Sequence, residues 1–396
     1  MEQESTFKNI AVIGIGASGG FCSILLNKNP YSKVTLFDEK PPFSTLLPTG
    51  GGRCNITYNE DDIKAFAKNY PRGEKFLLSV FSKFDAVKTR RLFEDLGIKT
   101  YIQEDNRVFP VSNSSSDVIK KLSSHLNGTK IIKEKVLSIR KENEHFIIST
   151  SNKEYSFDKV ILATGGKGNG FELAKSLGHK IIETKPSLTA FDIKEKNLYK
   201  LSGISFKNAK ISAQYGKNKY LEYGDILFTH KSISGPGIFK ISALSAYDEI
   251  SKENPLIINI CLSEFNKEEI ENTIKSNTKK SIKNVFNKFA PERFIEEIIN
   301  INKIDGNKQI AQIKKEEKEI LINSLSNLRL HAISRIKDSE IVTAGGIDLN
   351  EVNAKTMESK LVKGLYFIGE ILNIDGFTGG FNLQNCWSSA YIASLN

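Results

Sequence analysis

Residues 9–20 have the sequence NIAVIGIGASGG, which gives the strongest local indication of the fold. Its first half is an apolar run of the kind that forms a buried parallel strand. Gly14, Gly16 and Gly19 follow with the spacing of a turn from strand into helix. The first glycine permits the tight turn, the second lets a phosphate approach the backbone, and the third lets the helix pack on the strand. The stretch therefore predicts the opening of a dinucleotide-binding α/β sheet.

A second strand and its terminal acid agree with this interpretation. Residues 33–37 are predicted to form a second strand, which ends at Asp38 with Glu39 next to it. A carboxylate at the end of the second strand accepts the ribose hydroxyls of an adenosine, and Asp38 occupies that place. The alternative is a glycine turn that binds no nucleotide. NAD and FAD share the ADP half, so this motif does not separate them.

The length and composition of the chain limit which classes of protein it can belong to. A chain of 396 residues exceeds what one hydrophobic core usually serves, so two or three lobes are expected. The net charge of +10 comes from lysines scattered along the whole chain, which favours biased amino-acid usage over a nucleic-acid surface. The four cysteines lie far apart, so neither a metal site nor a disulfide framework is predicted. No apolar stretch approaches the roughly 18 residues of a membrane span, and we expect a cytoplasmic protein.

The pattern along the chain predicts four segments and an α/β fold class. Residues 1–186 form the first part of a Rossmann-like domain, and residues 187–264, with short alternating runs, form a β-barrel insert. Residues 265–338 have helical periodicity with Lys- and Glu-rich faces, which predicts a helical insert. Residues 339–396 return to glycine-rich, strand-like sequence and end in an apolar helix. We interpret this last segment as re-entry into a discontinuous first domain.

Four further motifs carry a resemblance to a known family. They are TGGGRCN at residues 49–55, NRVFPVS at residues 106–112, GDILFTH at residues 224–230 and TGGFNLQ at residues 378–384. Together and in this order they resemble the aminoacetone-oxidase-like, bile-acid-reductase-related family of FAD-dependent oxidoreductases, over nearly the whole chain. The resemblance implies FAD as the cofactor, bound in a glutathione-reductase-like domain assembled from both chain ends.

The resemblance also implies cofactor contacts by position. With the glycines and acids of the opening motif, it places the following residues around the ADP half and the dinucleotide: Gly14, Gly16, Ala17, Ser18, Gly19, Asp38, Glu39, Val136, Ala163, Thr164 and Gly165. Val136 would contact adenine through its backbone. These contacts depend on the resemblance, whereas the roles of the glycines and of Asp38 also follow from the residues themselves.

The flavin side can be argued from chemistry as well. Reduced flavin carries negative charge near N1 and O2, so a helix N-terminus aimed there favours reduction. The glycine-rich start of the last helix has that character, and a strand before it leads into a loop expected at the ribityl chain and pyrophosphate. The residues of these two segments are Gly369, Glu370, Asp375, Gly376, Gly380, Phe381, Asn382 and Leu383. A loop-capping role for Asp375 stays open.

The catalytic candidates come from two of the motifs. Gly52, Arg53, Cys54 and Asn55 resemble the family's loop beside the isoalloxazine, where an arginine neutralises flavin or substrate charge and an asparagine hydrogen-bonds the ring. Because Cys54 has no partner cysteine nearby in sequence, a packed thiol is favoured over a disulfide-exchange catalyst. His230 either moves a proton near neutral pH or fixes its own loop.

We therefore expect an FAD-dependent oxidoreductase in which a small organic substrate or NAD(P)H exchanges hydride with flavin N5. No second glycine motif is present, so NAD(P)H would dock transiently, and both an oxidase and a reductase stay open. One alternative is an FAD-dependent tRNA-modifying enzyme, which the basic charge would suit. Another is a non-catalytic FAD-binding redox sensor, since the loop after Lys167 is shorter than in the family. The sequence leaves the oligomeric state open.

Overall fold

The structure, a computed structural model, describes residues 8–262, 265–337 and 341–396. Its contacts divide the chain into two compact units, which we call the sheet unit (Met1–Lys185 and Val342–Asn396) and the barrel unit (Pro186–Ile341). A Rossmann-type sheet, a closed barrel and helices together confirm the predicted α/β fold class. The predicted boundary between residues 338 and 339 lies outside the described residues.

Strands and helices alternate at both ends of the chain, and longer strands lie between them. In chain order the strands of the described residues are β1 (Lys8–Ile13), β2 (Ser32–Phe37), β3 (Thr57–Tyr58), β4 (Thr100–Ile102), β5 (Arg107–Pro110), β6 (Lys130–Ile132), β7 (Ser138–Glu142), β8 (His145–Ser149), β9 (Glu154–Phe157), β10 (Lys159–Leu162), β11 (Ile181–Ser187), β12 (Phe191–Ile193), β13 (Ser205–Tyr215), β14 (Asn218–Phe228), β15 (Ile233–Ser234), β16 (Leu256–Cys261), β17 (Leu328–Arg335), β18 (Val342–Ile347) and β19 (Leu365–Phe367). The α-helices are α1 (Ala17–Leu26), α2 (Ile63–Ala67), α3 (Glu74–Lys83), α4 (Ala86–Asp95), α5 (Ser115–Ser124), α6 (Gly170–Ser176), α7 (Pro236–Leu244), α8 (Lys267–Ser276), α9 (Ile282–Phe286), α10 (Glu292–Ile301), α11 (Lys315–Ser326) and α12 (Phe381–Ser394).

A five-stranded parallel sheet forms the centre of the sheet unit, in the order β19-β10-β1-β2-β6. The central strand β1 pairs with β10 and β2, and Ile10 lies opposite Lys159 and Val34. Every β1 residue from Ile10 to Ile13 is buried, because a parallel sheet is covered on both faces. The carboxyl ends of these strands lie at one edge, which is where ligands bind in such sheets.

The first and last helices pack together, so the two ends of the chain share one core. The ring centroids of Phe21 in α1 and Trp387 in α12 lie 5.0 Å apart. Phe93 of α4 stacks on Phe21 at 5.7 Å. Trp387 is fully buried, and its indole Nε1–H donates to the carbonyl of Ile56 at 2.9 Å. The C-terminal segment is thereby fixed onto the loop that precedes β3.

Smaller sheets support the parallel sheet. One has the order β3-β5-β4 and another the order β7-β8-β9, both antiparallel. In the first, Thr57 lies opposite Val108, which sets the position of the glycine-rich loop before β3. β11 pairs with β18 where the chain leaves and re-enters the sheet unit. Among the described residues, no helix combines the length and the apolar character that a membrane span requires.

The barrel unit contains a closed barrel with the order β12-β15-β14-β13-β16-β17. Barrel residues such as Ile211 and Ile258 share one buried cluster with helix residues such as Phe286. The helical segment predicted to reach residue 338 ends at Ser326 in α11, and β17 then closes the barrel between β16 and β12. The sequence of β17 has a short period-two pattern that is typical of a strand. The prediction missed it because the pattern comes directly after a long stretch of Lys- and Glu-rich helices.

Candidate functional site

The glycine turn after β1 is held tightly against the loop after β10. Gly14 has a φ of +94°, and a Cβ atom on it would lie 2.5 Å from the carbonyl oxygen of Ala163. A Cβ on Gly19 would overlap the carbonyl oxygen of Gly14. Both positions therefore exclude any side chain. The turn brings the end of β1, the start of α1 and residue 163 together.

Helix α1 presents its N-terminus at this turn. Gly16 is the N-cap, and the N–H groups of Ala17, Ser18 and Gly19 lie in the first turn, where no intrahelical acceptor exists. The Ala17 N–H donates to Thr45 Oγ1 at 3.3 Å, which aligns the turn without covering the next two N–H groups. Together with the positive end of the helix dipole, these groups form a site suited to a pyrophosphate.

Asp38 is fixed at the end of β2 by two backbone groups. Its Oδ2 accepts the Ile15 N–H at 2.8 Å, and its Oδ1 accepts the Lys40 N–H at 2.9 Å. The carboxylate is half-buried, and its remaining lone pairs are available to hydroxyl donors. The neighbouring Glu39 is exposed. Of the two predicted acids, Asp38 is thus the one positioned next to the glycine turn.

The loop after β10 contains a buried oxygen that lacks a partner. Thr164 Oγ1 forms no hydrogen bond within the described part of the chain, and a Cβ on Gly170 would overlap it. Gly165 has a φ of +71°, so the loop turns sharply at this point. Asn169 Nδ2 donates to the carbonyl of Val136 at 2.8 Å, so this carbonyl already accepts one hydrogen bond. A cofactor hydroxyl would give Thr164 the partner that it lacks.

The loop after β19 closes the same end of the sheet. Gly369 has a φ of +75°, and a Cβ on it would overlap Ser18 Oγ in the first turn of α1. Glu370 Oε1 accepts the Thr343 N–H at 2.9 Å and lies 3.0 Å from the place of a Cβ on Gly166. Burial raises the pKa of the Glu370 carboxyl. The loops after β1, β10 and β19 therefore converge around a poorly solvated carboxyl group.

Asp375 and Asn382 fix the loop that leads into α12. Asp375 is fully buried and forms a bidentate ion pair with Arg72, from the segment before α3. The Gly376 N–H donates to Asn382 Oδ1 at 2.8 Å, and Asn382 Nδ2 donates to the Gly376 carbonyl at 2.8 Å. The carboxylate of Asp375 is thus engaged by a guanidinium, and the side-chain amide of Asn382 holds the loop on the first turn of the helix.

The N-terminus of α12 is built on a glycine that no other residue fits. Gly380 is the N-cap with a φ of +97°, and a Cβ on it would lie 2.7 Å from the Thr57 carbonyl oxygen. Phe381 is buried, and its carbonyl accepts the Tyr70 hydroxyl at 2.6 Å. Leu383 ends the first turn, whose N–H groups have no intrahelical acceptors. This terminus has the partial positive charge that a reduced, anionic ring requires.

Arg53 lies on an aromatic ring in the glycine-rich loop. Its guanidinium carbon is 4.1 Å from the ring centroid of the buried Phe109. Its Nε donates to the Gly50 carbonyl at 3.4 Å. Gly52 has a φ of +83° and nothing near the place of a Cβ, so it allows the loop to turn in open space. The stacking holds a permanent cation half-exposed at the loop surface.

The next two residues of the loop point inward. Cys54 is fully buried, and burial raises the pKa of its thiol to about 12 while a hydrogen bond from Thr49 lowers it. A thiol with that pKa is protonated and inert at neutral pH, which agrees with the packed role expected for it. Asn55 is buried, and its Oδ1 has no partner among the described residues. This amide oxygen suits an N–H donor such as a ring nitrogen of a flavin.

His230 belongs to the barrel unit and so to a different unit from Arg53. It is exposed in the turn between β14 and β15. Within that turn, the hydroxyl oxygens of Thr229 and Ser232 are 2.7 Å apart and hydrogen-bonded. The setting of His230 is a hydrogen-bonded surface turn, and its catalytic role stays a prediction.

Sequence reasoning missed the residues that support the site from a distance along the chain. Thr45 accepts the Ala17 N–H, Arg72 pairs with Asp375, and Thr343 donates to Glu370. None of the three lies in a motif with a recognisable spacing. Arg72 and Asp375 are 303 positions apart, so only the folded chain reveals the pair.

The arrangement fits an adenine dinucleotide with a redox-active ring. It combines a helix N-terminus at α1 that suits a pyrophosphate, an acid at the end of β2, a second helix N-terminus at α12 and two buried oxygens that have no partner among the described residues. Residues 8–396 match the HI0933-like protein Rossmann domain family. The chain belongs to this family. The family and the fold support FAD as the cofactor, as the sequence predicts.

Two relatives match this family member over almost their full lengths. A ribosomal RNA dihydrouridine synthase of Haemophilus influenzae is 31% identical over 412 residues, which cover 99% of each chain. A 3-dehydro-bile acid delta(4,6)-reductase of Clostridium scindens is 28% identical over 406 residues, which cover 97% of each chain. The expectation that nucleic acid is an unlikely partner is not supported, because the first relative is named for ribosomal RNA. The specific resemblance to aminoacetone oxidases stays a prediction.

A solved structure shares the fold over its whole length. The 3-ketosteroid delta1-dehydrogenase from Sterolibacterium denitrificans matches with a TM-score of 0.51, and the match covers 98% of this chain and 99% of that one. The two sequences are 9% identical, so the likeness concerns the fold alone. It agrees with the predicted architecture, in which a Rossmann-like domain carries inserted subdomains.

Proposed function

We propose that the chain is an FAD-dependent reductase that saturates a carbon–carbon double bond conjugated to a carbonyl group. The proposal rests on one observation: full-length relatives are named for two unlike substrates that have this bond in common. In uridine the C5=C6 bond is conjugated to the C4 carbonyl. In a 3-dehydro bile acid with delta(4,6) unsaturation, the double bonds are conjugated to the C3 carbonyl. Reduction of a conjugated double bond by one type of site would explain why relatives with the same fold are named for both substrates.

Reduction of such a bond requires a hydride at the β-carbon, a proton at the α-carbon and a group that stabilises charge on the carbonyl oxygen. FAD, when bound, supplies the hydride from its N5 atom. Arg53 is suited to the electrostatic part, since its guanidinium is half-exposed and held over Phe109 at 4.1 Å. A fixed cation stabilises a developing oxyanion without having to reorganise during the reaction.

The remaining residues of the site bind and orient. The first turn of α1 would hold the pyrophosphate, and Asp38, fixed by the Ile15 and Lys40 N–H groups, would accept the ribose hydroxyls. The first turn of α12 would favour negative charge on the flavin side and so the reduced state. Electrons enter from NAD(P)H, which binds transiently because the chain has no second glycine motif.

A uridine of ribosomal RNA is the first substrate candidate. Two full-length relatives, 31% and 28% identical, are named for that reaction, and one relative, 28% identical, is named for the bile-acid reaction. A net charge of +10 also attracts a polyanion at long range. A steroid-like enone is the second candidate, which the Clostridium scindens relative favours.

The test supplies the purified, FAD-loaded protein with NADPH in the absence of oxygen. One reaction contains ribosomal RNA transcribed in vitro, which carries no modified uridines, and another contains a 3-oxo steroid with a delta(4,6) diene. Mass spectrometry of the digested RNA, or of the steroid, should detect a gain of two hydrogens at one double bond. If NADPH is consumed and neither compound gains hydrogen, the proposed reductase activity is excluded for both substrate classes.

A further inference from the structure

The barrel unit has an exposed face whose side chains follow from the strand register. Leu221 of β14 lies opposite Ser212 of β13, and Ser212 lies opposite Asn259 of β16. Asn259 in turn lies opposite Arg329 of β17. The residues between them along each strand, such as Ile211, belong to the buried core. These four residues therefore form one row across the outside of the barrel.

Two further rows flank the first. Tyr223 lies opposite Lys210, which lies opposite Cys261. Lys219 lies opposite Gln214 on the other side. We call these three rows, together with Asp225 and Leu227 further along β14, the outer barrel face. Because side chains alternate along a strand, rows on the same face are about 7 Å apart.

The outer barrel face exposes three large apolar side chains on strand β14. Leu221 is 54% exposed and Tyr223 is 48% exposed. Leu227, on the same strand and with the same alternation, is 36% exposed. Single exposed apolar residues are ordinary, whereas a line of them on one strand marks an interaction surface.

Cations accompany these apolar residues. Lys210, Lys219 and Arg329 are exposed on the same face, and none of the three forms an ion pair within the described residues. The face also includes the exposed carboxylate of Asp225, which accepts the Asn208 N–H at 2.9 Å. With three free cations and one hydrogen-bonded carboxylate, the face is complementary to a polyanion.

A shallow groove adjoins the same face. Ser205 is the cross-strand neighbour of Leu227 and lines a groove of about 230 Å³. Lys207 and the rings of Phe265 and Phe289 line it as well. Pockets for drug-sized ligands are usually roughly 300–1,000 Å³, so this groove suits one planar group and not a whole small molecule. An aromatic wall beside a lysine is the setting in which a nucleobase stacks next to its phosphate.

We propose that the outer barrel face binds a single-stranded segment of the RNA whose uridine is reduced. Tyr223 stacks on a base, Lys210, Lys219 and Arg329 contact phosphates, and the amides of Gln214 and Asn259 are available to base edges. Sequence-tolerant recognition of single strands combines aromatic platforms with basic side chains in this way. The inference rests on the proposed function for its choice of RNA as the partner, and it names the surface that this function requires.

The test measures the affinity of the FAD-loaded protein for a fluorescent single-stranded ribosomal RNA fragment by anisotropy. Tyr223→Ala should weaken binding about tenfold, because it removes one base-stacking contact. Lys210→Ala should lower the slope of log affinity against log salt by about one. The matched control is Tyr31→Ala, because Tyr31 is also 48% exposed but lies in the sheet unit. The control should bind RNA like the unchanged protein.

Several results would overturn the inference. One is equal affinity for RNA in the Tyr223→Ala, Lys210→Ala and Tyr31→Ala variants. Another is self-association of the unchanged protein that Leu221→Ala abolishes in size-exclusion chromatography, since the face would then be an interface between copies. A third is the absence of any RNA binding. If reduction of RNA uridine or of a conjugated enone persists in these cases, the proposed function survives and only the surface is wrong.

Discussion

Arg72 holds the carboxylate of Asp375 in a bidentate ion pair. The Asp375 side chain is fully buried, and only 15% of the Arg72 side chain is exposed. The pair joins the segment before α3 to the loop that leads into α12. The helix N-terminus proposed for the flavin side therefore depends on a contact far from it in sequence.

The Arg72–Asp375 pair predicts a large loss of stability when half of it is removed. Asp375→Asn keeps the shape of the side chain but leaves the guanidinium without its counter-charge, which costs about 3–5 kcal/mol for a buried pair. Urea unfolding of the apoprotein measures the change. Arg72→Met combined with Asp375→Leu should be less destabilising than Asp375→Asn alone. An unfolding midpoint in Asp375→Asn equal to that of the unchanged protein would contradict a structural role for the pair.

Asp38 predicts a specific loss of cofactor affinity. Asp38→Ala removes the carboxylate that would accept the ribose hydroxyls, so the dissociation constant of FAD should rise about 10- to 100-fold, as expected for a hydrogen bond to a charged group. Titration of the apoprotein with FAD, followed by flavin fluorescence, gives the constant. Glu39→Ala is the control, because Glu39 is exposed beside it. Equal affinities in the two variants would remove Asp38 from the site.

Replacement of Arg53 should slow turnover and change cofactor binding little. Arg53→Ala removes the cation placed to stabilise the oxyanion, so the rate of substrate reduction should fall about 100-fold. Stopped-flow reoxidation of the reduced enzyme by substrate measures that rate. Arg107→Ala is the matched control: Arg107 lies 5.6 Å from the same Phe109 ring, but Asp105 already pairs with it at 2.7 Å. An unchanged rate in Arg53→Ala would assign the charge stabilisation to another group.

His179 predicts a pH dependence of stability. Its Nδ1 lies 3.0 Å from Glu351 Oε2, its Nε2 lies 3.0 Å from Ser359 Oγ, and the side chain is fully buried. The hydrogen-bonded series Glu351–His179–Ser359 resembles a nucleophile triad. However, Ser359 is buried, and its Oγ accepts the N–H groups of Leu361 and Val362. The three side chains therefore pin a loop in place.

Burial lowers the pKa of His179 below its ordinary value of 6.5. As the pH falls below about 6.5, the His179 imidazole therefore binds a proton in the unfolded chain but stays neutral in the folded chain. Stability from this residue is complete above that pH and is lost as the pH falls towards the folded-state pKa. Urea midpoints measured from pH 8 down to pH 5 should decline, and His179→Asn should flatten the decline relative to the exposed His125→Asn. Equal slopes in the two variants would assign the dependence to other groups.

The sequence predicted the parts of the fold that local patterns encode. The strand, glycine turn, helix and acid from Ile10 to Asp38 were predictable because each step has its own spacing rule. The barrel strand β17 was not, because its period-two pattern follows a long helical stretch. The Arg72–Asp375 pair and the packing of Phe21 on Trp387 were not predictable either, since both join residues more than 300 positions apart. Sequence spacing could point to the glycine turns of the candidate site because backbone conformation determines them, whereas the residues that support these turns through space were missed.

A single-turnover stoichiometry measures whether bound FAD carries electrons to a conjugated double bond. The protein is loaded with FAD, reduced anaerobically with one equivalent of NADPH, and mixed with unmodified ribosomal RNA while flavin absorbance is followed. Electron transfer from flavin to substrate predicts that one double bond is saturated for each flavin that is reoxidised. A reduced flavin that persists in the presence of both RNA and a steroid enone, or a protein that takes up no FAD, would contradict it.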